Sequence, residues 1–273
     1  MIIDELRKYT TSCNISIYAI NNEKVLYSYN ENQIQDSACT LKVFIMLDYI
    51  RQIQEKKITG REMLEVTEEN AATGAGTVKY LSYGMKICAS DLVELMVSIS
   101  DHMAANILID FLGMEHINET IKIFGFKNTR LLKKYLVPRS KHVGETTAYD
   151  YATFFKMLDN NEFYNKEYCS YMKDILLSQR YKDFLAEPLL KYESYVDMQS
   201  KSGKVDGKSF DSLANSCVND GGICITKFGN YYIAFLSEIY AKSNVCMLEM
   251  KNLMQIVSRK VFEVNLKNEA NIC

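Results

Sequence analysis

Hydrophobic and polar positions alternate in two early stretches, Ile15-Ser16-Ile17-Tyr18-Ala19-Ile20 and Lys24-Val25-Leu26-Tyr27-Ser28-Tyr29. A period near two suits half-buried strands, and the polar Asn21-Asn22-Glu23 between them predicts a tight hairpin turn. A short helix precedes this pair. After it, the run Val43-Phe44-Ile45-Met46-Leu47 predicts a long buried helix from Cys39 to about Gln54. The middle of the chain is helical. Ser90 reads as the N-cap of a helix running to about Ile99. A second helix, Met103 to Leu112, stops at Gly113. Further helices are expected near 115–124, 148–158 and 166–177, whereas Lys133 to Thr146 has no period and reads as a loop. The last third returns to strands at 195–200, 209–218, 223–227 and 231–239. Asp220-Gly221-Gly222 and Gly229-Asn230 are read as turns. A final helix is expected from about Asn244 to Phe262.

Strands at both ends of the chain must share one sheet, with a helical block inserted between them. The predicted class is α/β in the α+β sense: an antiparallel sheet of about five strands flanked by helices, plus an inserted all-α subdomain. Within a single domain, 1–273, the α/β part comprises 1–58 with 188–273, and the all-α part 59–187. With only two prolines and no Gly/Ser tract, no flexible linker is expected.

Composition narrows the function. A chain of 273 residues with 48% hydrophobic content can bury a large core. A net charge of -2 gives no reason to expect nucleic acid or a charged membrane surface as partner. No apolar stretch approaches a membrane span. The N-terminus lacks the charged-then-apolar pattern of a signal peptide, so a cytoplasmic location is expected unless a leader has been removed. The eight cysteines are scattered without a C-x-x-C pair, which suits reduced thiols and offers no zinc spacing. With three dispersed histidines as well, neither a metal site nor a cofactor is expected.

The chemistry centres on Cys39-Thr40-Leu41-Lys42. Positions i and i+3 share a helix face, so sulfur and ammonium can point the same way. A helix N-terminus and a nearby cation both favour thiolate over thiol. Most cysteines at such places are small buried residues, so this segment alone does not make a nucleophile. Two further motifs follow in order: Ser100-Asp101-His102 between two helices, and Lys201-Ser202-Gly203 at the end of a strand, followed by Lys204. Ordered S-x-x-K, S-D-N and K-T-G motifs mark class A β-lactamases and penicillin-binding proteins. The chain resembles that family, with Cys for Ser, His for Asn and Ser for Thr. The flanks agree: 97–113 is similar to the family's second-motif helix pair, 124–131 to the entry of its omega loop, and Glu145-Thr146-Thr147 to the exit. Another S-x-x-K, Ser170-Tyr171-Met172-Lys173, lies in mid-helix without companions.

The resemblance implies an acyl-transfer site. It gives Cys39 the place of the nucleophile and Lys42 that of its activator. Ser100 would relay a proton to the leaving nitrogen. Lys201 would set the local field and help hold a substrate carboxylate, which Ser202 would hydrogen-bond. Backbone N–H groups of Cys39 and Lys204, with Gly203 between the motifs, would form the oxyanion hole. A small-molecule or peptide substrate, carboxylate-bearing, is the implied partner.

Two departures matter. The stretch from Lys133 to Gly144, where the family carries the glutamate that activates hydrolytic water, contains no acidic residue. His142 is the one histidine there, read either as a replacement base or as a solvated loop residue. Lys133, Lys134, Arg139 and Lys141 make the loop basic, either to attract an acidic substrate or as a solvated surface. At the second motif, His102 could join Lys42 in forming a Cys39 thiolate, since Cys–His is an established nucleophile–base pair. The expected function is a β-lactamase-like hydrolase or acyltransferase working through a Cys39 thioester. The alternatives are a catalytically impaired penicillin- or peptide-binding homologue and a weak β-lactamase.

Overall fold

The computed structural model describes residues 2–21, 24–135, 142–209 and 211–270. Helices are α1 (Ile2–Arg7), α2 (Lys42–Gln54), α3 (Ala89–Ser98), α4 (His102–Leu112), α5 (Met114–Ile123), α6 (Ala148–Asp159), α7 (Lys166–Leu177) and α8 (Met247–Ala270). Strands are β1 (Cys13–Ile20), β2 (Val25–Tyr29), β3 (Gln35–Asp36), β4 (Met63–Glu65), β5 (Lys86–Cys88), β6 (Arg130–Leu131), β7 (Gly144–Thr146), β8 (Tyr195–Ser200), β9 (Gly203–Val205), β10 (Ser216–Thr226) and β11 (Tyr231–Ile239). The main sheet runs β2-β1-β11-β10-β8, and β9 also pairs with β10. Every pairing in it is antiparallel. The mixed architecture expected from the hydrophobic pattern is present.

Alternation along the strands sends side chains to two cores. Ile15, Ile17, Ala19, Ile233 and Phe235 pack with Met250, Leu253, Met254 and Val257 of α8. On the other face Tyr18, Ile223, Tyr232, Ala234 and Leu236 join the helical block. Helix α2 runs through that block, and every residue from Lys42 to Gln52 is buried. A helix that is buried on all sides belongs to a core rather than a surface.

Several local expectations need correction. Asp220-Gly221-Gly222 is not a turn, because β10 runs straight through it from Ser216 to Thr226. Its glycines serve close packing. A β-carbon on Gly221 would stand 2.5 Å from the Tyr151 ring, and one on Gly222 2.5 Å from the Gln199 carbonyl oxygen. Residues 207–209 form a 3₁₀ turn instead of starting a strand, and Phe210 lies outside the described residues. Helix α3 starts at Ala89 with Cys88, not Ser90, at its N-cap. It follows directly from β5, and the Ala89 amide donates to the Glu62 carbonyl (2.8 Å). The expected loop 133–146 ends in β7, which pairs with both β3 and β6. The last helix begins at Met247 and extends to Ala270, later at both ends than expected. The turn residues 22 and 23 and loop residues 136–141 lie outside the described residues. Among the described residues no helix is long and apolar enough to cross a membrane.

Candidate active site

Cys39 sits in a 3₁₀ turn, Ala38–Leu41, that leads into α2. The helix proper therefore starts at Lys42, three residues later than the pattern suggested. A 3₁₀ turn brings i and i+3 nearly into line, and Lys42 Nζ lies 3.6 Å from Cys39 Sγ. The turn is fixed from both sides. The Ser37 amide donates to Gly144 O of β7 (3.0 Å), and the Ala38 amide to Asp36 Oδ1 (2.8 Å).

Ser100 lies between α3 and α4 with φ +58°. The left-handed region is costly for a residue with a side chain, by roughly 1–3 kcal/mol. Here it turns both the carbonyl and the hydroxyl of Ser100 towards the cations. Lys42 Nζ donates to Ser100 O (2.6 Å) and Oγ (3.2 Å), and Lys201 Nζ to the same Oγ (3.0 Å). One hydroxyl thus bridges two buried ammonium groups.

Asp101 caps α4 by accepting from the Ala104 amide (2.9 Å). Its other oxygen accepts from the Thr77 (2.5 Å) and Val78 (2.8 Å) amides, tying the preceding loop to the helix. That loop in turn holds His102. The His102 amide donates to Ala75 O (3.1 Å), and Nδ1 is 2.9 Å from Thr73 O. A carbonyl only accepts, so Nδ1 carries the proton and Nε2 is left facing Cys39 Sγ at 3.2 Å.

The third motif lies in the gap between β8 and β9, both of which pair with β10. The Lys201 amide donates to Gly221 O (3.0 Å), and the Tyr151 hydroxyl donates to Lys201 O. Lys201 Nζ also donates to Ser202 O (2.7 Å). Gly203 brings β9 against the Cys39 backbone. Lys204 lies opposite Val218 with its side chain exposed. Ser202 is buried, its hydroxyl 3.4 Å from Tyr181 O.

Burial disfavours charge on the Cys39 thiol, but Lys42, His102 and Lys201 together outweigh it and hold the thiol well below its usual range. Burial also lowers Lys42, opposed by Cys39 and Asp101. It takes Lys201 down to about 7 and raises the buried carboxyl of Asp220 to about 7. A low-pKa thiol among cations is the setting of reactive cysteines.

Cys39, Lys42, Ser100, His102, Lys201 and Gly203 are thus brought together. Ser202 and Lys204 flank them in the third motif, whereas the candidates outside the three motifs lie elsewhere. His142 Nδ1 pairs with Asp36 Oδ2 (3.1 Å) rather than with Cys39. Lys134 pairs with Asp110, and Arg139 and Lys141 lie outside the described residues. In the second S-x-x-K, Lys173 of α7 is bound to Asp159 at the end of α6 (3.4 Å). Sequence reasoning missed Tyr135. Its ring stacks on His102 at 5.5 Å between centroids, and Lys42 Nζ lies 4.5 Å from its centre. An aromatic residue next to the paired lysines of a polar loop was the available signal.

A sequence model of the β-lactamase enzyme family matches residues 2–264. Over 142 residues the chain is 28% identical to β-lactamase BRO-1 of Moraxella catarrhalis; the match takes in 51% of this chain but only 44% of that relative. Among solved structures, a β-lactamase from Sphaerobacter thermophilus DSM 20745 superposes with a TM-score of 0.85 at 20% identity, covering 97% of each chain. PBP-A superposes at 0.84 with 23% identity, covering 97% of this chain and 94% of that one. A PBP-A variant in acyl-enzyme complex with penicillin G superposes at 0.83 with 23% identity, over 97% and 95%. At these identities the structures speak for the fold alone, while the sequence match extends over nearly the whole length: the chain belongs to the β-lactamase enzyme family.

Proposed function

We propose that the chain is an acyl-enzyme hydrolase or acyltransferase whose nucleophile is Cys39. The thiolate attacks an amide, peptide or β-lactam-type carbonyl. A C–S bond forms, and the oxyanion is met by the Cys39 and Lys204 amides. The C–N bond then breaks as Ser100 passes a proton to the leaving nitrogen and regains one from Lys42 or Lys201. Lys201 and Ser202 take a substrate carboxylate. The acyl group remains on sulfur as a thioester until water or an amine removes it.

The observation that carries this reading is the position of Cys39 Sγ between His102 Nε2 at 3.2 Å and Lys42 Nζ at 3.6 Å. Both bases are fixed by independent contacts, so neither has to move to reach the sulfur. A penicillin-G acyl-enzyme exists for a PBP-A variant, which makes penicillin G the first substrate probe. A binding homologue without turnover is the second reading, favoured by the burial of Cys39, which is only 6% exposed.

Intact-protein mass spectrometry after iodoacetamide, and separately after penicillin G, tests both. Selective alkylation and acylation of Cys39 is expected. Ligand binding with no selective reaction at Cys39 would leave the binding homologue standing and remove the enzyme.

A further inference from the structure

The buried ring of Tyr135 lies against both groups that face the Cys39 sulfur. Tyr135 is 1% exposed. It stacks on His102 with 24° between the planes, lies under Lys42 Nζ at 4.5 Å, and donates its hydroxyl to Ala38 O at 3.4 Å. These are the two candidate bases and the residue preceding Cys39. Asn106 locks the backbone behind the ring: it accepts from the Tyr135 amide (2.7 Å) and donates to the Tyr135 carbonyl (2.9 Å). The ring is therefore held from both ends.

Hydrolysis of a thioester needs a water beside a base, within reach of the carbonyl carbon. One side of both Lys42 and His102 is covered by the aromatic face of Tyr135. The phenol is no substitute base. Its hydroxyl is directed at Ala38 O, and burial raises its ionisation well above the usual range.

We infer that Tyr135 excludes water from the base side of the Cys39 thioester, so that the acyl group passes to an amine acceptor. This rests on the thioester reading above and names the fate of the intermediate. In the transfer step the amine nitrogen bonds to the carbonyl carbon as the C–S bond breaks. The electron pair returns to sulfur, and the proton shed by nitrogen goes to Ser100 Oγ as Ser100 passes its own to the lysine that gave one up in acylation, so the amine enters on the leaving-group side, away from Tyr135. Aminolysis needs no ordered water, because the amine is bound as a substrate and is the stronger nucleophile.

The test loads Cys39 with p-nitrophenyl acetate and follows the acetyl adduct by intact mass, in buffer and with glycinamide. Wild type is expected to hold the adduct in buffer and to discharge it as N-acetylglycinamide. Tyr135→Phe, which keeps the ring, should behave alike. Tyr135→Ala should lose the adduct to water about tenfold faster, with a lower amide-to-acid ratio, since admitting water lowers one barrier by little more than 1 kcal/mol. Tyr135→Leu keeps an apolar filler should the alanine variant not fold, and it should shift in the same direction. Adduct lifetimes within twofold of wild type in the folded alanine or leucine variant overturn the role of Tyr135 while leaving the thioester intact. A wild-type chain with no acetyl adduct on Cys39 overturns both.

Discussion

Gly203 lies so close to Cys39 that a β-carbon on it would stand 2.6 Å from the Cys39 amide nitrogen, with Thr40 N at 3.1 Å. These are backbone atoms and cannot swing aside. The side chain is absent so that β9 and the 3₁₀ turn can touch, and the touch sets the spacing of the proposed oxyanion amides. Gly203→Ala should push the two apart. A displacement near 1 Å typically costs about 100-fold in rate. Stopped-flow acylation should fall by that order while circular dichroism stays unchanged; a loss under threefold would show that the spacing is not critical.

Removing His102 should raise the pH midpoint of Cys39 alkylation. Burial opposes the thiolate, and Lys42, His102 and Lys201 favour it strongly enough to win. Taking away one of the favouring groups leaves burial less opposed, so the thiol must titrate at higher pH in His102→Ala. Iodoacetamide rates against pH measure this directly. An unmoved midpoint would mean that the 3.2 Å contact contributes nothing to thiolate formation.

The three motifs were legible because each is local. Cys39 and Lys42 are one turn apart, Ser100-Asp101-His102 is a helix junction, and Lys201-Ser202-Gly203 closes a strand. The outer hairpin and most of the helices were legible from period alone. What escaped depends on partners remote in sequence. Asp220-Gly221-Gly222 has the composition of a turn, and only the Tyr151 ring above Gly221 explains glycine in mid-strand. Strand β7 forms because segments 35–36 and 130–131 flank it. Tyr135 belongs to the site through a stacking contact with His102 that no local pattern encodes.

Asp101 should matter for stability apart from chemistry. Three amides, those of Thr77, Val78 and Ala104, converge on its buried carboxylate. Stranding buried donors costs about 1–3 kcal/mol. Asp101→Ala should lower the urea midpoint correspondingly. It should also loosen the loop carrying Thr73 O, so that alkylation of Cys39 slows in the folded variant. Unchanged denaturation would contradict the capping role.

Carboxylate-bearing ligands should bind more weakly as pH rises through about 7, where Lys201 loses its proton. Below that pH the ammonium attracts the carboxylate; above it the neutral amine does not. Dissociation constants measured by calorimetry from pH 6 to 8.5 should rise in wild type and stay flat in Lys201→Met. A flat wild-type profile would separate Lys201 from carboxylate recognition.

Helix α2 is enclosed on every side from Lys42 to Gln52, and this bears on how labelling of Cys39 is to be read. Segments of that kind exchange their amide hydrogens only with global unfolding, whereas frayed edges open at little cost. Reagent reaching the sulfur in the native protein therefore enters through the small exposed face of Cys39 and not through breathing of the helix it adjoins. The labelling rate becomes a gauge of access to that face, independent of how stable the domain is.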